Sequence, residues 1–206
     1  MKKEAALEGA TPKRFNVRAM TVTAMLAALS AALQYLEFPI PFVPPFLKMD
    51  LSDFPSLIAA YCFGPVSGVC VCFIKNAVHL TASYSGGVGE LSNFLLGALF
   101  VIPAGLMYKK HKTRRYALAG AAVGAVIMSL GSVVTNYFLV YPVYYKVAMP
   151  EAAILDMYKA ILPSVDSIFE CLWIFNVPFT FARALISVLL VFPIYKYISP
   201  LLKGYK

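Results

Sequence analysis

Apolar residues run along this chain in long unbroken stretches separated by short polar breaks, rather than in strand-like alternation or a one-sided helical stripe. Runs of about 20 apolar residues are the length that crosses a ~30 Å hydrocarbon core as a helix. The first is Val17 to about Leu36. It ends at Glu37-Phe-Pro-Ile-Pro-Phe-Val-Pro-Pro-Phe46, where prolines lacking an N–H forbid regular helix, so Phe38 to Ser52 reads as a stiff apolar loop. Asp53 to about Leu80 follows, interrupted by Phe63-Gly64-Pro65, which local sequence allows to be a kink or a turn between two helices. Gly89 to Tyr108, Tyr116 to about Leu139 and Trp173 to about Ile198 complete the apolar set, with an irregular segment expected from Val140 to about Cys171.

Composition agrees with this pattern. Hydrophobic residues make up 60% of the 206 and charged residues 14%, against roughly 45–50% and about 25% in soluble domains. A net charge of +8 raises the possibility of nucleic acid, but the basic residues flank apolar runs in short clusters and form no stripe interleaved with aromatics. Such placement is a membrane orientation signal, and no nucleic-acid partner is expected.

Charge also bears on the Gly64-Pro65 question. Lys2, Lys3, Lys13, Arg14 and Arg18 lie before or at the start of the first run, and Lys109-Lys-His-Lys-Thr-Arg-Arg115 follows the run Gly89 to Tyr108. If both clusters are cytoplasmic, an even number of crossings separates them, which favours a turn and four spans before residue 109. The expected fold is then an all-α membrane protein with six transmembrane helices in one bundle and both termini cytoplasmic. A tail at 1–16, a six-helix domain at 17–198 and a tail at 199–206 follow, in the cell membrane. This count puts 13 of the 18 Lys and Arg inside and most acids outside. The first run is spanning length without a convincing cleavage pattern, so it is read as a retained helix rather than a signal peptide. Cys62, Cys70, Cys72 and Cys171 lie in or beside apolar runs without metal or redox spacing and are read as reduced packing residues.

Once depth is assigned, the polar residues of the spans converge on the outer side: Lys75, Asn76 and His79 in span three, Glu90 and Asn93 at the start of span four, Asn136 closing span five, and Thr180 and Arg183 in span six. A Lys or Arg at a bilayer centre costs roughly 2.5–3.5 kcal/mol on insertion scales, so such residues face a cavity or a partner. An outward-facing polar pocket is the functional reading; snorkelling cations and interhelical amide bonds are the structural one. For His79 alone the structural role is favoured. Span one carries Ala24, Ala28 and Ala32 at a four-residue period, which suits close helix approach within the bundle or docking to another membrane subunit. No phosphate loop, H-E-x-x-H, nucleophile elbow or Cys/His metal cluster is visible, so neither catalysis nor a metal site nor a resident cofactor is expected.

Several segments, in order, carry a resemblance: Phe46-Leu-Lys-Met-Asp-Leu-Ser-Asp-Phe-Pro55, Phe63-Gly-Pro65, Lys75-Asn-Ala-Val-His-Leu80, Gly89-Glu-Leu-Ser-Asn-Phe-Leu-Leu-Gly97 and Thr135-Asn-Tyr-Phe138. Together they resemble the riboflavin-specific substrate-binding (S) component of energy-coupling-factor (ECF) vitamin transporters. The resemblance implies a six-helix protein that takes riboflavin from outside with high affinity and works with a transmembrane coupling subunit and two ATPases. It implies that Leu47, Met49 and Asp50 belong to a lid over the vitamin, that Asn136 contacts the flavin, and that the alanine face of span one docks on the coupling subunit. With Lys75, Asn76, Glu90, Asn93, Thr180 and Arg183 these make up the candidate substrate site.

The sixth span departs from the pattern. Riboflavin components typically carry Pro-Phe-Asn-x-x-Lys, whereas this chain has Pro178-Phe-Thr-Phe-Ala-Arg183. Threonine lacks the paired donor and acceptor of an amide, and arginine presents a wider planar donor set than lysine. Another aromatic vitamin or a flavin nucleotide therefore stays open as the ligand, with Arg183 the residue that would meet a phosphate. A stand-alone carrier, with Glu90 or Asp53 binding protons, is the alternative within transport. A lipid-modifying membrane enzyme is the alternative outside it.

Overall fold

The computed structural model describes residues 17–203 except 84 and 148, with side chains described only as far as residue 194. The expected tail at 1–16, and with it Lys2, Lys3, Lys13 and Arg14, lies outside the described residues, as do Lys206 and the side chains of Lys196 and Lys203.

Helix α1 (Val17–Tyr35) leads into the proline-rich loop. There β1 (Phe38–Pro39) pairs antiparallel with β2 (Lys48–Met49), Phe38 opposite Met49. Helices α2 (Asp53–Phe63), α3 (Pro65–His79), α4 (Val88–Lys110) and α5 (Arg114–Thr135) follow. Short α6 (Tyr141–Val147), α7 (Glu151–Lys159) and α8 (Ile168–Cys171) precede the long α9 (Val177–Lys203).

Gly64-Pro65 is a turn. Gly64 has φ +99°, on the side of backbone space that glycine tolerates, and its N–H closes α2 on the Ala60 carbonyl. Pro65 then opens α3, where a missing N–H costs nothing. The two helices run back along each other: a Cβ on Gly68 would lie 2.8 Å from that of Ala60, and Lys75 reaches Asp53 at 2.6 Å. This turn sits at the end of the bundle that carries the basic run, because Tyr61 donates to the Ala117 carbonyl at 2.7 Å and Gly105 packs on Pro65.

Small residues let the helices approach closely, as is common where lipid offers no hydrophobic drive between them. A Cβ on Gly124 of α5 would come within 2.4 Å of the Phe100 carbonyl oxygen of α4, and one on Gly97 within 2.9 Å of Cys72 Sγ. Phe100, Val101, Ala104, Ala121 and Met128 fill the core beside Leu57. On the outside, Met25, Leu29, Phe73, Leu106, Leu130 and Leu189 stand exposed, a coat that suits lipid. Among the described residues five helices are long and apolar enough to cross a membrane: Val17–Tyr35, Pro65–Ala82, Val88–Lys110, Arg114–Val147 and Ile168–Ile194. The 11 residues of α2 rise only about 16 Å, and the helix is almost wholly buried among the others. The protein is a multi-pass, all-α membrane protein.

The outer region differs from expectation. Helix α5 does not stop near Leu139; it passes through a π-helical turn, Asn136–Val140, into α6 and ends at Val147. Pro142 offers no N–H to the preceding turn, and the widened turn carries the helix past it. The last span likewise begins ahead of Trp173, with α8 and a second π turn, Leu172–Asn176. The segment expected to be irregular is largely helical.

Candidate ligand-binding site

A cavity of about 410 Å³ opens at the end of the bundle opposite the basic run. That lies within the ~300–1,000 Å³ of small-molecule sites. Six helical segments alternate in direction, so the ends of α1, α3 and α5 and the beginnings of α4 and α9 meet around it. They supply Gln34, His79, Asn136, Glu90, Asn93, Phe179 and Arg183. Phe46, Leu47, Lys48 and Asp50 of the loop before α2 form a further wall. Leu96, Val140, Tyr141 and Tyr144 add apolar and aromatic surface.

A buried charge quartet begins at the cavity wall, with Asp50 and Arg183, and continues behind it, with Asp53 and Lys75. Lys75, with no solvent exposure, places Nζ 2.6 Å from Asp53 Oδ1 and 2.6 Å from Ser52 Oγ. Arg183 Nε faces Asp53 Oδ2 at 2.9 Å, and its Nη2 faces Asp50 Oδ2 at 3.2 Å. Two carboxylates balance two cations, as burial requires of charge. The Ser52 N–H donates to Asp50 Oδ1 at 2.7 Å, and Ser30 of α1 donates to the Ser52 carbonyl. The quartet thereby ties the loop, α1, α2, α3 and α9 to one another.

Residues 18–195 match the family described as ECF transporter, substrate-specific component. The chain belongs to that family. It is 37% identical over 129 residues to the riboflavin transporter RibU of Staphylococcus aureus, covering 63% of this chain and 68% of that one. It is 31% identical over 183 residues to the RibU of Streptococcus thermophilus, covering 85% and 86%. The riboflavin transporter FmnP of Bacillus subtilis is 34% identical over 132 residues, covering 63% and 70%. A solved structure described as the S component of a bacterial ECF transporter superposes with a TM-score of 0.69 at 28% identity, covering 91% of this chain and 98% of that chain.

As an S component, the chain brings only some of its sequence-predicted residues to the cavity. Leu47, Asp50, Glu90, Asn93, Asn136 and Arg183 line it; Met49, Lys75, Asn76 and Thr180 do not. Met49 is held in the β hairpin and Lys75 in the quartet. Asn76 stands one residue behind the wall, donating to the Cys72 carbonyl at 2.8 Å and accepting from Gln34 Nε2 at 3.1 Å. His79, read as structural, pairs with Glu90 at 3.0 Å on the wall itself. Ser83 and Ser85 also donate to Glu90, which fixes the loop into α4.

Gln34, Asn176 and the individual aromatic residues of the wall, such as Tyr141 and Tyr144, are not among the sequence candidates. Gln34 is an isolated amide in an apolar helix, a signal that sequence does offer. Asn176 lies four and seven residues before Thr180 and Arg183, one helical face that the spacing also shows. The hydroxyl of buried Tyr158, on α7, donates to Asn176 Oδ1 at 2.9 Å and meets the Tyr141 hydroxyl at 2.7 Å. Burial pushes the Tyr158 hydroxyl far above its ordinary pKa, so it remains a donor. Phe46 packs edge-on against the same ring, linking α7 to the loop. Ala24, Ala28 and Ala32 form an exposed face on the outside of α1, while Ala27 and Ala31 turn inward.

Proposed function

We propose that this chain captures riboflavin from outside the cell and delivers it to an ATP-driven importer. The observation that carries the reading is the cavity: aromatic and aliphatic walls for a flat ring system, with amides and carboxylates converging between them. The names of the relatives point to the same ligand. In this reading six segments cross the membrane, both termini are cytoplasmic, Lys109 to Arg115 lies inside and the cavity faces out. The loop from Phe38 to Ser52 serves as the lid. The Ala24, Ala28 and Ala32 face docks on a transmembrane coupling subunit that works with two ATPases, and this chain performs no covalent chemistry.

The test is purification in detergent, an absorption spectrum, and titration with riboflavin, flavin mononucleotide and thiamine. Saturable riboflavin binding without thiamine binding is expected. Its absence overturns the substrate assignment. Uptake by cells lacking the ATPase module would overturn the coupling assignment.

A further inference from the structure

Gln34 is 3% exposed and lines the cavity from α1. The orientation of its amide follows from its neighbours. The Cys72 carbonyl can only accept, so Asn76 gives it an Nδ2 hydrogen and presents Oδ1 to Gln34. Gln34 must therefore donate through Nε2, which leaves Oε1 as its remaining polar atom. Among the described residues that oxygen is buried with no hydrogen-bond partner, and so is Asn93 Oδ1 across the same cavity. A buried acceptor left unpaired costs about 1–3 kcal/mol, a penalty that a ligand donor would relieve.

We propose that Gln34 is a specificity-determining contact of the ligand site, its Oε1 accepting a hydrogen bond from an N–H or O–H of the ligand, with Asn76 as the positioning residue behind it. Of the four buried side-chain atoms without a hydrogen-bond partner among the described residues, Arg183 Nε and Asp53 Oδ2 face each other at 2.9 Å; the other two, Gln34 Oε1 and Asn93 Oδ1, are acceptors on cavity-lining residues, so the site favours ligands that bring donors. The inference rests on the riboflavin reading, in which two parts of the ligand qualify: the imide N–H of the ring and the hydroxyls of the ribityl chain.

The test pairs Gln34→Met, close in length and without polar atoms, with three probes: riboflavin, N3-methylriboflavin (no imide donor) and lumiflavin (no ribityl hydroxyls). Binding is read by quenching of flavin fluorescence, and folding by thermal unfolding of the ligand-free protein. Gln34→Met is expected to weaken riboflavin by about tenfold or more. It should cause no further loss with the one analogue that lacks the donor Oε1 receives. Loss of the penalty with N3-methylriboflavin identifies the imide; loss with lumiflavin identifies a hydroxyl. Equal riboflavin affinity in variant and wild type overturns the proposal, as does the full penalty with both analogues, since a structural defect would not distinguish them. If Gln34→Met does not fold, Gln34→Asn, which keeps an amide but withdraws the oxygen by one methylene, must give the same pattern or the proposal falls. Wild-type protein that binds no flavin removes the riboflavin reading and this inference together. Binding by wild type with no effect of Gln34 removes the inference alone.

Discussion

Asp50 and Arg183 stand 133 residues apart in sequence and meet at 3.2 Å, a carboxylate from the loop before α2 against a guanidinium on α9. This contact fastens the loop to the far side of the cavity, and Arg183 bridges on to Asp53. Arg183→Ala leaves both acids to Lys75 alone. Breaking a buried pair by removing one partner costs about 3–5 kcal/mol, so a large fall in melting temperature is expected along with lost riboflavin binding. Arg183→Lys keeps the charge but cannot span both acids, so it should fold and bind with intermediate affinity. Thermal unfolding and riboflavin titration on the same samples check this.

Lys75 supplies a contrast, because it has no cavity surface and holds Asp53 and Ser52. Lys75→Met leaves Asp50 and Asp53 to Arg183 alone and should lower stability by about 3–5 kcal/mol through the unbalanced negative charge, while leaving the relative affinities for riboflavin and its analogues unchanged. Adding Asp53→Asn removes the unbalanced charge and should restore part of the melting temperature. A change in ligand preference with Lys75→Met would return Lys75 to the binding site.

Lys75 and Gln34 also show where sequence reading reaches its limit. Hydrophobic run lengths and basic flanks are local quantities, and they located the loop, the Gly64 turn and the end of the bundle where polar side chains gather. Whether a polar side chain on a helix faces the cavity or a buried partner depends on the rotation of that helix against its neighbours. Lys75 points to Asp53 of α2, and Asn76 points to Gln34 of α1. The π turns at Asn136–Val140 and Leu172–Asn176 shift the helical phase by inserting a residue, which a 3.6-residue pattern does not encode. The helices α6 and α7 were hidden by their charged and tyrosine residues and by Pro142 and Pro150, and α8 by its four-residue length.

In the proposed function the two faces of α1 separate binding from docking. Ala28 is exposed and Ala27 is 1% exposed. Ala28→Trp should leave riboflavin affinity and melting temperature unchanged while reducing cellular uptake. Ala27→Leu overpacks the contact with Ala59 and Val71 and should cost about 1–3 kcal/mol of stability. The reverse assignment of effects would place the docking surface elsewhere.

Gly124 reports on the close contact between α4 and α5. A methyl group there would meet the Phe100 carbonyl oxygen at 2.4 Å, an atom of backbone that cannot swing aside. Gly124→Ala should therefore push the helices apart and destabilise the protein by about 1–3 kcal/mol, seen as a lower melting temperature.

The charges around the cavity also predict which flavin is preferred. Arg183, the residue that a phosphate would seek, already faces Asp50 and Asp53. Lys48 is paired with Glu37, and His79 with Glu90. A phosphate brings about −1.5 to −2 charges at pH 7 and would meet three cavity-lining carboxylates, Glu37, Asp50 and Glu90, with Lys48 and Arg183 already paired to acids. Flavin mononucleotide should then bind about tenfold or more weakly than riboflavin, which is about 1.4 kcal/mol or more. Because the opposition is electrostatic, Glu37→Gln, which removes one of the three carboxylates, should narrow the gap, and added salt should narrow it further. Equal affinities of the two flavins at low salt would mean that Arg183 leaves its carboxylates to meet the phosphate.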